Sequence, residues 1–214
     1  MLGARLIKYG HYGEAEELYR ELMEARIRTV GKNQLDTINA MQGLSIALDK
    51  RKQTDSFLEL MGELIATQIQ VLGSDSIKVS ISQERVALAL LKTGKSELAF
   101  SYAEECFLLR KRVLGMDDIS TLNALQYAQL AAGRSKDWEL AEKWGTEAVE
   151  AFEKLENTPA GKYARSLYWF AVCQAKLDKK KAALEYARKA AAVSVDNKDE
   201  IHGLSTILIE VLRK

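Results

Sequence analysis

The chain has 214 residues, 47% hydrophobic and 29% charged, with a formal net charge of +1. That balance excludes a disordered chain and supplies no overall field toward nucleic acid or an acidic membrane surface. A proline count of 1 and 7% aromatic residues disfavour an all-β fold and leave room for long unbroken helices.

Taken in chain order, apolar residues recur at helical spacing between breakers, which predicts helices near 1–9, 13–29, 35–50, 54–71, 77–92, 96–113, 119–133, 138–154, 160–177, 180–195 and 200–213. Gly31, Gly73 and Gly115 lie 42 residues apart just past three of these helices, where a left-handed terminating residue is favoured. Asn157 holds the equivalent place in the next row. Pro159 opens the helix that follows, where its missing N–H costs nothing. Thr54, Ser96 and Asp137 stand where an N-cap is expected.

Written in rows of 42, the sequence aligns with no insertion, the signature of a repeat array. Ala15, Phe57, Ala99, Ala141 and Ala183 share a column; so do Leu18, Leu60, Tyr102, Trp144 and Tyr186, and Leu22, Leu64, Cys106, Ala148 and Ala190. These describe one amphipathic helix per row, called B. The other helix of each row, called A, carries Leu2, Leu44, Val86, Ala128 and Phe170. Next to it runs a mostly small column, Gly3, Ser45, Ala87, Gln129 and Ala171, and a turn later Leu6, Leu48, Leu90, Ala132 and Gln174. Small residues mark a close helix–helix approach. Gln129 and Gln174 depart from their columns, and looser packing is expected around them.

The fold class is therefore all-α: an α-solenoid of antiparallel helix pairs with a 42-residue period. The chain reads as one array, 1–214, in units of about 1–31, 32–73, 74–115, 116–157 and 158–199 with a partial 200–214, leaving half-units at both ends. Leu2, Leu6, Ile209 and Leu212 are expected to be poorly covered there, which points to a longer native chain.

The Leu-small pairs Leu2-Gly3, Leu44-Ser45 and Val86-Ala87, the alanines at 15, 99, 141 and 183, and the aromatics Tyr12 and Trp138 resemble the tetratricopeptide repeat. A 42-residue unit with Leu-Gly after the B helix, and stretches such as Gly10-His11-Tyr12-Gly13-Glu14-Ala15, are most similar to the kinesin-light-chain-like branch. The resemblance implies a right-handed α-solenoid of about five such units, in which A helices line a concave groove, and a non-catalytic scaffold binding a protein or peptide there. The alternative is a sensor or regulatory segment of a larger signalling protein, or an accessory domain of an enzyme.

The A-helix positions outside the core columns are then the candidate site: Asn39, Gln42, Ile46 and Asp49; Ile81, Glu84, Leu88 and Leu91; Asn123, Gln126 and Leu130; Arg165, Tyr168 and Val172. Their amides can both donate to and accept from a peptide backbone. One column is basic in every row, Lys8, Lys50, Lys92, Arg134 and Lys176. It stands in the last turn of each A helix, where a cation offsets the helix dipole, and it would also meet a peptide with acidic side chains or a free carboxylate.

Residues 137–157 are acidic and 158–198, which include Asp196 and Lys198, are basic; neighbouring blocks of opposite sign are read as a solvated face with packing pairs. Lys179-Lys180-Lys181 lacks the interleaved aromatics of a nucleic-acid surface. His11 and His202 have no second ligand at metal spacing, Cys106 and Cys173 sit in core columns, and no phosphate loop or nucleophile elbow appears. Glutamates on B helices are read as solvated rather than paired for acid–base work. No cofactor, metal or enzyme activity is expected, and no run reaches the roughly 18 apolar residues of a membrane span. With no secretory signal at Met1–Lys8 and no disulfide framework, the setting is taken as soluble and cytoplasmic.

Overall fold

A computed structural model of the chain describes residues 2–194 and 200–213. Met1, the last residue of the helix expected at 180–195, and Asp196 and Lys198 of the basic block lie outside the described residues. The described residues form eleven α-helices: α1 (Leu2–Lys8), α2 (Tyr12–Thr29), α3 (Leu35–Lys50), α4 (Thr54–Leu72), α5 (Ile77–Lys92), α6 (Ser96–Leu114), α7 (Ile119–Arg134), α8 (Trp138–Lys154), α9 (Ala160–Lys176), α10 (Lys180–Ser194) and α11 (Glu200–Arg213). Odd-numbered helices are A and even-numbered ones B.

The chain divides into two compact units, Met1–Ala89 and Leu90–Lys214. In the first, α1 packs on α2, α2 on α3 and α3 on α4, and α1 also reaches α3. Its core is Ile38, Met41, Leu44 and Leu48 of α3 against Phe57, Met61 and Leu64 of α4, all fully buried. Each such side chain contributes about 1.5–3 kcal/mol. Tyr19 of α2 is wedged between two helix backbones: a Cβ on Gly43 would stand 2.1 Å from its Cε1, and one on Gly3 would stand 2.6 Å from its Cε2. Only residues without side chains let α1 and α3 close on that ring.

The second unit repeats the pattern, each of α6 to α11 packing on the next, with α7 touching α9 and α9 touching α11. Cys106, Phe107, Leu122, Leu125, Trp144, Ala148 and Phe152 join α6, α7 and α8. Val149, Leu167, Phe170 and Ala190 join α8, α9 and α10. Both units are stacks of consecutive helix pairs, the all-α solenoid architecture expected from the period. Leu2 is 63% exposed, as expected, whereas Leu6, Ile209 and Leu212 are half-buried.

Gln129 is buried; it borders a cleft of about 150 Å³ on one side and packs closely on another. A Cβ on Gly145 would lie 2.6 Å from Gln129 Nε2 and 2.5 Å from Phe170 Cδ2, so the glycine on α8 accommodates the large side chain on α7. Gln174 is buried as well, and its Nε2 donates to Glu142 Oε1 at 2.8 Å.

Helix ends follow two column rules. At each A-to-B turn, Gly10, Lys52, Gly94, Lys136 and Asp178 take a positive φ, between 59° and 84°. In each turn the next N–H bonds back across the helix end, as in Gln53 N to Leu48 O at 3.0 Å and Asp137 N to Ala132 O at 3.0 Å. This is a Schellman ending. At the B-to-A turns Gly31, Gly73 and Gly115 also have positive φ, but ψ is 159° at Gly73 and 176° at Gly115. These two therefore extend the chain toward the next helix instead of closing a left-handed turn.

Asn157 does not share their positive φ; α8 ends through Leu155 in an extended conformation. Thr54 and Ser96 are the first helical residues, not caps: Gln53 and Lys95 hold the cap positions without a side-chain bond. Asp137 does cap α8 through Leu140 N, and Asp118 caps α7 through the N–H groups of Ser120 and Thr121. Pro159 stands one residue before α9, at the cap.

Candidate functional site

In the first unit, α3 exposes Asn39 and Lys50, leaves Gln42 half-buried, and presents Ile46 at 36% exposure. On α5, Ile81 is exposed while Glu84 and Leu88 are half-buried. Arg85 lies among them and was not among the expected site residues. Its Nη1 donates to Ser45 Oγ at 2.8 Å, and its guanidinium lies 5.3 Å from the Phe57 ring centroid. Burial lowers its pKa, with Asp49 acting in the opposite direction. It ties α5 to α3 and α4.

In the second unit, α7 presents Asn123, Gln126 and Leu130, all half-buried, and exposed Arg134. Gln126 is not a free amide: its Nε2 donates to Lys162 O of α9 at 2.7 Å. Leu91 is buried rather than exposed, and its carbonyl accepts from Arg134 Nη1 at 3.0 Å. On α9, Arg165 is exposed and Tyr168 half-buried, its ring edge-on to Trp169 with centroids 5.3 Å apart. Burial, and then Glu200, push the Tyr168 hydroxyl up.

The basic column occupies one place throughout. Lys8, Lys50, Lys92, Arg134 and Lys176 are each the last residue of their A helix, and all are exposed. That is where a cation meets free carbonyls. Arg134 goes further and caps the end of α5, the preceding A helix.

Between α7, α8 and α9 lies a cleft of about 150 Å³ whose walls include Leu130, Gly133, Trp138, Ala141, Trp169 and Val172, with Arg134 also lining it. Cys173 contributes to the wall; burial, then Glu142, pushes its thiol up to about 11. Its Sγ lies 3.2 Å from Trp138 O. Cys106 and Cys173 are both buried and outside any disulfide, as their columns suggested. His11 Nδ1 lies 3.0 Å from Glu14 Oε1 and His202 Nδ1 3.0 Å from Ala191 O. Among the described residues, no three His, Cys, Asp or Glu side chains gather as metal ligands, and no helix is long and apolar enough to cross a membrane.

Several B-helix glutamates on the surface and in partly buried positions form ion pairs. Glu16 is 8% exposed and accepts from Arg20 Nη2 at 3.0 Å, Arg51 Nη1 at 2.6 Å and Gln53 Nε2 at 3.1 Å. Burial alone would raise its pKa, but the two arginines outweigh burial and hold it below the ordinary value. In the second unit Glu142 meets Lys179 at 2.6 Å, Glu147 meets Lys111 at 2.6 Å, and Glu153 pairs with Lys189. Lys179 and then Gln174 lower the Glu142 pKa, and Lys189 lowers that of Glu153. The acidic and basic blocks of the sequence thus meet in pairs between α8 and the start and body of α10.

Residues 1–36 match the family model of a tetratricopeptide repeat. The structure is similar to a Podospora anserina protein assigned as a kinesin light chain with nearly identical TPR-like repeats. That likeness has TM-score 0.78 at 18% identity and covers 93% of this chain and 94% of the other. BtubC (BKLC) from P. vanneervenii aligns with TM-score 0.77 at 17% identity over 93% of this chain and 80% of its own. The apo form of RapI aligns with TM-score 0.78 at 16% identity over 99% of this chain and 75% of its own. No curated protein sequence matches. The fold is thus of the tetratricopeptide type, similar to its kinesin-light-chain-like form.

Proposed function

We propose that the chain is a non-catalytic interaction scaffold whose A-helix face forms a groove for a protein or peptide partner rich in acidic residues. The observation that carries this reading is the exposed cation ending each A helix from α1 to α9, beside the exposed or half-buried Asn39, Gln42, Ile46, Glu84, Leu88, Asn123, Leu130, Arg165 and Tyr168. A run of like charges next to mixed polar and apolar positions selects an oppositely charged ligand and speeds its capture. The repeat fold supports it, since stacked helix pairs offer extended binding faces. The unbroken 42-residue register, continued through α5, supports reading the chain as one array. Two buried cysteines kept out of any disulfide support a reducing, cytoplasmic setting.

The test is a peptide array carrying acidic, neutral and basic sequences. The chain should retain acidic members selectively, and the Lys50→Glu, Lys92→Glu, Arg134→Glu variant should lose them at least tenfold while keeping its helix content. Equal capture by both proteins would refute the reading.

A further inference from the structure

The cleft between α7, α8 and α9 adds specificity to the proposed face, and the inference rests on that reading. Its walls are largely apolar, formed by Leu130, Gly133, Trp138, Ala141, Trp169 and Val172 at a volume of about 150 Å³. An apolar cavity of roughly 150 Å³ holds one benzene-sized group. That admits a leucine, methionine or phenylalanine side chain and leaves an indole without room.

The A-helix side of the cleft is basic, while α8 brings Glu139 and Glu142 to the other side, Glu142 being paired with Lys179. The two A helices that form the cleft carry Arg134 on α7 and Lys162, Arg165 and Lys176 on α9, and neither contains an aspartate or glutamate. Arg134 itself lines the opening and spends one N–H on Leu91 O. A guanidinium has five N–H donors, so it keeps others for a carboxylate.

From this geometry we infer that the α7–α9 cleft is an anchor for one apolar side chain, no larger than a phenyl ring, of a peptide that carries carboxylates beside it. The apolar group enters between Trp138 and Trp169 of the cleft wall, and a neighbouring acid meets Arg134. The amide of Gln129 does not take part in this, because both its polar atoms are shut off from solvent.

The probes are fluorescein-labelled heptapeptides Gly-Asp-Glu-Xaa-Asp-Glu-Gly with Xaa alanine, leucine, phenylalanine or tryptophan, read by anisotropy. Leucine and phenylalanine peptides should bind about tenfold or more tightly than the alanine peptide, and tryptophan should fall back toward alanine. Gly133→Leu should erase the preference. Gly133→Ala is the safer variant: its Cβ would lie 3.5 Å from Trp138 Cζ3, an ordinary contact, and it should penalise phenylalanine more than leucine. Affinities independent of Xaa, a preference for tryptophan, or indifference to both Gly133 variants overturns the anchor. If acidic peptides bind regardless of Xaa and the triple charge variant loses them, the anchor fails and the A-helix reading stands. If none of the four binds, both fail.

Discussion

Gly43 shows how much one missing side chain can decide. A glycine inside a helix ordinarily costs about 1 kcal/mol relative to alanine, so Gly43→Ala would stabilise α3 on propensity alone. The Tyr19 ring reverses that sign, since a contact at 2.1 Å cannot persist and the ring has helix backbone on its other side at Gly3. Gly43→Ala should lower stability by about 1–3 kcal/mol in urea unfolding, and adding Tyr19→Leu should restore most of it. Lys136 runs the other way. With φ at 66° it holds a left-handed conformation that costs a side-chain-bearing residue about 1 kcal/mol. Lys136→Gly should therefore raise the unfolding midpoint, and an unchanged or lower one would remove strain from the account. Of these two residues, neither was legible in the sequence. Gly43 needed its partner Tyr19, 24 positions away, and Lys136 is an ordinary lysine to any reading that lacks φ.

Helices, in contrast, were read closely, because a period of 42 repeats the same apolar face with every row and one row corrects another. The chain's eleven expected helices agree with the observed bounds to within about two residues at the described ends. What the columns hid is pairing between them. Gln129 on α7 departs from its column, yet Gly145 on α8 departs from its own in the opposite sense, and the two departures fit. Reading each column singly missed the contact that the joint reading gives. Gly145→Ala should destabilise, and Gln129→Ala should recover part of the loss. The cycle should show a coupling of about 0.5–3 kcal/mol, where simple additivity would mean the two positions do not share space. The same limit applied to the candidate site: the expected residues lie on A helices as placed, but the bonds from Gln126 to Lys162 O and from Arg134 to Leu91 O end on backbone carbonyls, which no sequence pattern marks.

Across the molecule, stability should respond to acid through its paired glutamates. Glu16, Glu142 and Glu153 are all held below the ordinary glutamate value. A carboxyl with a lowered folded pKa adds stability that is complete above its unfolded value, about 4.3, and is lost as pH falls through the folded value. The urea midpoint should stay level from neutral pH to about 5 and then drop. A Glu16→Gln, Glu142→Gln double variant should start lower and drop less. A wild-type midpoint level down to pH 3 would contradict these pairings.

The wedge at Tyr19 also bears on modularity. Repeat chains invite shuffling, since every unit has nearly the same backbone. Yet Tyr19 requires glycine at both Gly3 and Gly43, whereas the positions 42 residues on are Ser45 and Arg85, opposite Met61. The units are alike in outline and keyed differently at their contacts, like teeth cut for one lock. A chain assembled by duplicating or reordering them would keep its helices and lose its joints unless these matched positions travelled together.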